Sequence, residues 1–320
     1  MPFGLGGRRL GASLGPTAIR IAGLQKELEE IVAEVTDMGD VRSPLGNEPG
    51  NRGEGIGHFE KVLTNLEEVK RAVSEATVPR SIPLVLGGDH SLAVATVSAA
   101  LEQSGELLGV LWVDAHGDLN TPDTSPSGNL HGMSLAALCG LRCGECPAPR
   151  AEQWARLLEA VVPERRLDAS RIVWFGLRDP DRSEVERITS GDSRRAVTMH
   201  EIDRFGIPAM VEHAVETLRR AGVRRLWVSF DLDVLDPMIA PGTGTDVRGG
   251  LSYREAHLLA EMLHETLRGP GCPFELVGIE IVEVNPTLDT NNETAVMAVE
   301  WVTSLLGRRI LPAWPSGGDA

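Results

Sequence analysis

Along the chain, runs dense in Val, Ile, Leu and Trp alternate with longer stretches whose apolar positions recur at helical spacing. Five runs predict strands: SIPLVLGG (81–88), LLGVLWVD (107–114), SRIVWFGL (170–177), RRLWVSFD (224–231) and FELVGIEIVEV (274–284). Runs this continuous in apolar character suit strands covered on both faces, as in a mainly parallel sheet. Segments 16–34, 58–76, 90–103, 207–221, 252–267 and 292–306 predict helices, with Pro16 suited to a first turn. Strand and helix in alternation predict an α/β chain, with helices on both faces of the sheet. Gly and Pro cluster in the connections. Neither a repeat nor a low-complexity linker divides the chain, so a single domain over 1–320 is expected. MPFGLGG begins as though a strand had just finished, so residues 1–7 read as a short or truncated first strand, and residues 312–320 as a C-terminal tail.

A length of 320 residues with 42% hydrophobic content is enough for a substantial core. Lys and Arg are outnumbered 31 to 46 by Asp and Glu, a formal net charge of −15, which argues against nucleic acid as a partner and suits a small cationic substrate. No signal peptide and no membrane span is read in the chain, so a cytoplasmic protein is expected. The four cysteines agree with a reducing compartment. Cys139, Cys143 and Cys146 lie close together in CGLRCGECPAP, but without a second paired motif the spacing favours no structural zinc.

Each strong run ends in polar residues, and the carboxyl ends of strands are where open parallel sheets bind ligands. The candidates are His90 after GGD, Asp114, His116 and Asp118 in DAHGD, Asp231 and Asp233 in SFDLDVLDP, and Glu283 in EVNP. Side chains two apart on an extended strand point the same way, so DAHGD mounts three donors on one side and Asp231 with Asp233 repeats the device. Carboxylates so crowded need cations beside them. Four carboxylates and two imidazoles without thiolate favour a hard or borderline ion such as Mn2+, and −4 against +4 favours two ions over one. Two ions would activate a shared water for hydrolysis.

The motifs GGDHS, DAHGDLNTP, SGNLHGM, GLRDPD, SFDLDVLDP, GTGT and EVNP, in this order, resemble the ureohydrolase family, its arginase branch in particular. The resemblance spans nearly the whole chain. It implies a three-layer αβα sandwich with about eight strands, two Mn2+ per subunit, and cleavage of L-arginine to L-ornithine and urea by a metal-bridging hydroxide. It implies that His90, Asp114, Asp118 and Asp231 hold one ion and His116, Asp114, Asp231 and Asp233 the other. Asp118 would also steer the nucleophile, His131 would move a proton, and Glu283 would face the guanidinium with Thr245 nearby. Asn120, Ser127 and Asn129 would contact the α-carboxylate, Asp181 the α-amino group, and Glu184 lies in the same recognition region. A homotrimer or homohexamer is also implied, SYRE with Arg254 and Glu255 matching an interface segment.

Ordinary readings compete with each residue singly: His90 as a helix start, DLDVLDP as a strand and turn, Asp181 and Glu184 as a helix first turn. Jointly they do not account for six metal-type donors at three strand ends. Other readings of the whole are an agmatinase or another guanidino-acid hydrolase, a single-zinc deacetylase, or a catalytically silent metal-binding homologue. Asp89, Arg178, Asp179 and Asp236 read as supporting residues. His58, His200, His213, His257 and His264 read as surface or packing residues, and Trp112, Trp174 and Trp227 as core.

Overall fold

The apolar runs form strands because both of their faces find cover. A computed structural model describes residues 1–42, 55–192, 195–269 and 271–309. Among them are six strands: β1 (Leu84–Leu86), β2 (Leu108–Val113), β3 (Ile172–Leu177), β4 (Ala196–Thr198), β5 (Arg225–Asp231) and β6 (Glu275–Val282). They make one sheet in the order β1-β6-β5-β2-β3-β4, and every neighbouring pair is parallel. Each predicted run contains one strand. The sixth, β4, is three residues long, too short for a periodic signal to show. Six strands therefore stand among the described residues where about eight were expected. Residues 1–7 form no strand; their backbone instead joins the loop after β1, where Phe3 O accepts from Asp89 N (2.9 Å) and Gly6 N donates to Asp89 Oδ2 (2.9 Å). The expected tail at 312–320 lies outside the described residues.

The helices are α1 (Gly15–Ile21), α2 (Leu24–Glu29), α3 (Phe59–Ala76), α4 (Ala93–Ser104), α5 (Ser134–Leu138), α6 (Ala148–Ala160), α7 (Arg182–Ser190), α8 (Met199–Arg220), α9 (Tyr253–Arg268) and α10 (Glu293–Leu305). The helix expected over 16–34 breaks at Gly23, whose φ of 92° is open to glycine at little cost. In α8 the backbone leaves helical geometry at Gly206, two residues before Pro208, so only the part after the kink matches the expected 207–221. The short or strongly polar α5, α6 and α7 were not anticipated.

Period-two alternation sorts the strand side chains into two cores. Val110 and Trp112 of β2 pack with residues of α3, α4, α5 and α6, together with Trp174 and Trp227. Leu111 and Val113 pack on the opposite face with residues of α1, α2, α8, α9 and α10. Helices thus cover both faces of the sheet in three layers. β2 leads on to β3 on one side, β5 leads on to β6 on the other, and β2 and β5 are neighbours. That divergence is the topological switch point at which open parallel sheets form their crevice. No helix among the described residues is long and apolar enough to cross a membrane.

The inter-strand packing is tight at Gly278 of β6, paired in register with Trp227 of β5. A Cβ there would lie 2.0 Å from Trp227 Cζ3. Replacing Gly278 with Ala forces the buried indole to shift, and overpacking of this kind costs about 1–3 kcal/mol. The expected outcome for Gly278→Ala is a lower urea midpoint with an unchanged m-value, read by circular dichroism.

Candidate metal centre and its rim

The crevice between the ends of β2 and β5 is lined by the polar residues that terminate the apolar runs. Asp114 follows β2 directly, its amide donating to Phe175 O of β3 (3.1 Å). Asp231 closes β5, and its Oδ1 accepts from Asp233 N (2.8 Å), which turns the chain and brings Asp233 to the same mouth. His90 stands at the start of a short 3-10 turn after β1, capped by the Asp89 side chain accepting from Ser91 N (3.0 Å). Asp118 has φ 49° and Glu283 φ 63°, both in the left-handed region that side chains avoid. Strain held by the surroundings at two candidate residues is a mark of functional sites.

These elements bring the six expected donors together. His90 Nδ1 lies 3.0 Å from Asp114 Oδ2, 3.0 Å from Asp231 Oδ2 and 3.2 Å from Asp118 Oδ2. His116 Nδ1 lies 3.3 Å from Asp114 Oδ1 and 3.1 Å from Asp233 Oδ2. Two candidate ligand groups result, His90 with Asp114 and Asp231, and Asp114 with His116 and Asp233, so Asp114 belongs to both. His90 Nδ1 and Asp114 Oδ2 are buried and close, yet neither has a hydrogen-bond partner of acceptable direction. A buried imidazole nitrogen and a carboxylate oxygen that converge without bonding fit a shared cation. Nitrogen and oxygen donors without thiolate fit a hard or borderline divalent ion.

The charges show the same need. Burial, followed by the charge of Asp114, pushes Asp118 up to about 6. Burial and the neighbouring carboxylates likewise raise Asp231 and Asp233. Burial opposes a charged His90 or His116, but the surrounding carboxylates overcome it and hold both imidazoles above their ordinary pKa.

Behind His90 lie supports that the motifs did not single out. Its Nε2 is 2.8 Å from Ser229 Oγ of β5, and its ring stacks on Trp112 with centroids 4.1 Å apart and planes 4° from parallel. With Nε2 held by Ser229, Nδ1 faces the carboxylates. Glu280 of β6, fully buried and in register with Ser229, accepts from Thr96 Oγ1 and keeps Oε1 without a bonded partner. A carboxylate inside an apolar strand run was the sequence signal available for it. Arg178 reaches across the crevice floor to the carbonyls of Asp233, Val234, Leu235 and Val247, at 2.6 to 3.2 Å, and so anchors the chain that carries Asp233.

The rim holds the other candidates. His131 Nδ1 is 3.2 Å from Glu283 Oε1, which also accepts from His90 N (2.8 Å). Burial works against a charged His131, but the Glu283 carboxylate raises its pKa. Thr245 Oγ1 donates to Asp233 Oδ2 (2.9 Å). Asn120 Nδ2 donates to Asp181 Oδ2 (2.7 Å), joining the loop after β2 to the start of α7. Asp181 and Glu184 make the capping box of α7. Glu184 also accepts from Leu119 N (2.8 Å), and burial, then the charge of Asp118, pushes it up to about 7. Asn129 is buried with its Nδ2 unpartnered, whereas Ser127 is exposed and accepts from Asn129 N (3.2 Å). Away from the rim, Glu255 closes the capping box of α9 with Ser252.

Fold and site together define a three-layer α/β protein with two adjoining groups of candidate metal ligands at the carboxyl ends of its parallel strands. A sequence profile described as "Arginase family" matches residues 1–307. Arginases of Staphylococcus aureus (strain MSSA476) and Bacillus subtilis (strain 168) are each 40% identical over 312 residues, covering 97% of this chain and 96% and 97% of theirs. The crystal structure of arginase from Bacillus cereus superposes with a TM-score of 0.82 at 39% identity, over 97% of both chains. The chain belongs to the arginase family.

Metal ligands must be deprotonated to bind, so affinity rises with pH. With Asp118 titrating near 6 and Asp231 and Asp233 raised, protons compete with the cation on the acid side of neutrality. Protein loaded with Mn2+ is expected to retain it on dialysis at pH 8 and lose it at pH 5, as counted by elemental analysis. Retention independent of pH would contradict the ligand set.

Proposed function

We propose that the chain hydrolyses L-arginine to L-ornithine and urea with two Mn2+ held by His90, Asp114, His116, Asp118, Asp231 and Asp233. The observation that carries this reading is the pair of adjoining ligand groups sharing Asp114, set beside the SGNLHGM loop. Bound divalent ions supply neutralisation of four carboxylates and acidification of water at neutral pH.

The remaining steps belong to side chains. Asp118 holds the attacking water toward the guanidinium carbon and passes a proton to the departing amine. Its left-handed backbone presents the carboxylate at the mouth of the crevice, next to His90. His131, partly exposed and bonded to Glu283, carries protons between site and solvent. Glu283 orients the guanidinium, with Thr245 beside it. Asn120, Ser127, Asn129 and Asp181 receive the amino acid head group, and the unpartnered amide of Asn129 is a donor available to its carboxylate. Glu184, bonded to Leu119 and Asp181, holds that region in place.

A zwitterionic head group needs both donors and a carboxylate at the rim, whereas agmatine lacks the group that the donors would meet. This favours arginase over agmatinase. The same reading places the protein in the cytoplasm as a single-domain subunit of a homotrimer or homohexamer, acting without nucleic acid or membrane partners.

Protein loaded with Mn2+ should release urea from L-arginine far faster than from agmatine, and the opposite preference would refute the assignment. Asp118→Asn should lower kcat by about 10²–10⁴-fold, the range for loss of an acid–base group. Urea release after stopped incubations, with the metal content of each variant matched, reads both.

A further inference from the structure

The loop between α5 and α6 carries C-G-E-C at 143–146, a motif that the proposed reaction does not use. Cys143 Sγ and Cys146 Sγ lie 2.6 Å apart, and both residues are partly exposed. The other two cysteines are placed differently. Burial pushes the Cys139 thiol up to about 12, and Cys272 Sγ donates to Phe274 O (2.9 Å).

The pair is tied to the recognition loop. Burial works against a charged Asp123, but Thr121, Gly144 and Cys143 beside it hold its carboxyl below its ordinary pKa. Gly144 permits the approach: a Cβ there would lie 2.5 Å from Asp123 Oδ2. Arg150 at the start of α6 adds a second tie, donating to Pro122 O (3.1 Å). Asp123 stands three residues after Asn120 and six before Asn129. The turn that carries Cys143 and Cys146 is therefore packed against the head-group loop through Gly144 and Asp123.

We infer that Cys143 and Cys146 are a reversible oxidation site, closing to a disulfide with a low-molecular-weight disulfide as oxidant and altering the contact of this turn with Asp123. Cys146 as thiolate attacks one sulfur of the oxidant, forming a mixed disulfide and expelling one thiolate. Cys143, deprotonated as it reacts, attacks Cys146 Sγ, and the second thiolate leaves. The two protons of the protein thiols end on the two expelled thiolates. The cysteines lose two electrons and the oxidant gains them. Burial and the adjoining Cys146 push the Cys143 thiol up to about 12, so it stays protonated until the mixed disulfide forms. Closure removes the thiol proton from beside Asp123 and tightens the turn that Gly144 packs on it.

The test incubates Mn2+-loaded protein with oxidised glutathione, quenches with acid, and determines intact mass and the mass of the peptide spanning 143–146. The expected result is loss of two hydrogens in that peptide, restored by dithiothreitol. KM for L-arginine should rise by about two- to five-fold with kcat unchanged, the scale of one polar contact at an exposed carboxylate. Cys143→Ser keeps a hydroxyl proton beside Asp123 but cannot close, so it should show the reduced KM and ignore the oxidant. Cys143→Ala should show the raised KM even when reduced. A glutathione adduct without closure, or no mass change, would overturn the site; closure with KM unchanged would overturn the link to the loop. The mass readout does not depend on activity, so it stands apart from the test of substrate.

Discussion

Four buried carboxylates packed against two imidazoles cannot all be charged without a countercharge. Burial and like charge raise Asp118, Asp231 and Asp233 together. Without cations the protein would bear this cost at the mouth of its own sheet, where no packing offsets it. Much of the surrounding structure answers that constraint. The amides of His116 and Asp233 point at carboxylate oxygens, Thr245 adds a hydroxyl, and the Arg178 guanidinium sits across the crevice floor. These groups and the two imidazoles offset part of the site's charge, and divalent ions held by the same donors would supply the rest.

The same constraint explains the three-layer architecture. Convergence of three strand ends needs a parallel sheet, and a parallel sheet needs helices on both faces. Trp112 shows how closely core and site are joined: its indole belongs to one of the two cores, and its face supports the ring of His90. Ser229 and Glu280 extend that support inward across β5 and β6. The ligand geometry is set by buried packing, where side chains have one rotamer available, and the left-handed residues Asp118 and Glu283 are held at the edge of it.

Much of this was legible in the chain. The five apolar runs each held a strand, and the periodic segments at 58–76, 252–267 and 292–306 held α3, α9 and α10 almost to the residue. What escaped was short or polar. β4 is three residues long, and α7 has little apolar stripe, its start marked instead by the Asp181–Glu184 capping box. That box illustrates how a local reading and a functional one can share residues: both cap α7, and both also hold the loop that carries Asn120. The number of strands came from family resemblance, not from the runs, and among the described residues it was too high.

By itself, the sequence determined which residue types stand at each strand end, and period-two spacing determined that Asp114, His116 and Asp118 could share a side. It could not say that Asp231, more than a hundred residues from both His90 and Asp114, would join Asp114 at 3.0 Å from the same imidazole nitrogen. Nor could it say that Ser229 and Glu280 would stand behind that imidazole. Those facts depend on strand order, and strand order is decided by which helical faces and strand faces bury one another. Spacing along a strand is a local property of the backbone, whereas the meeting of β2 with β5 is a property of the whole core.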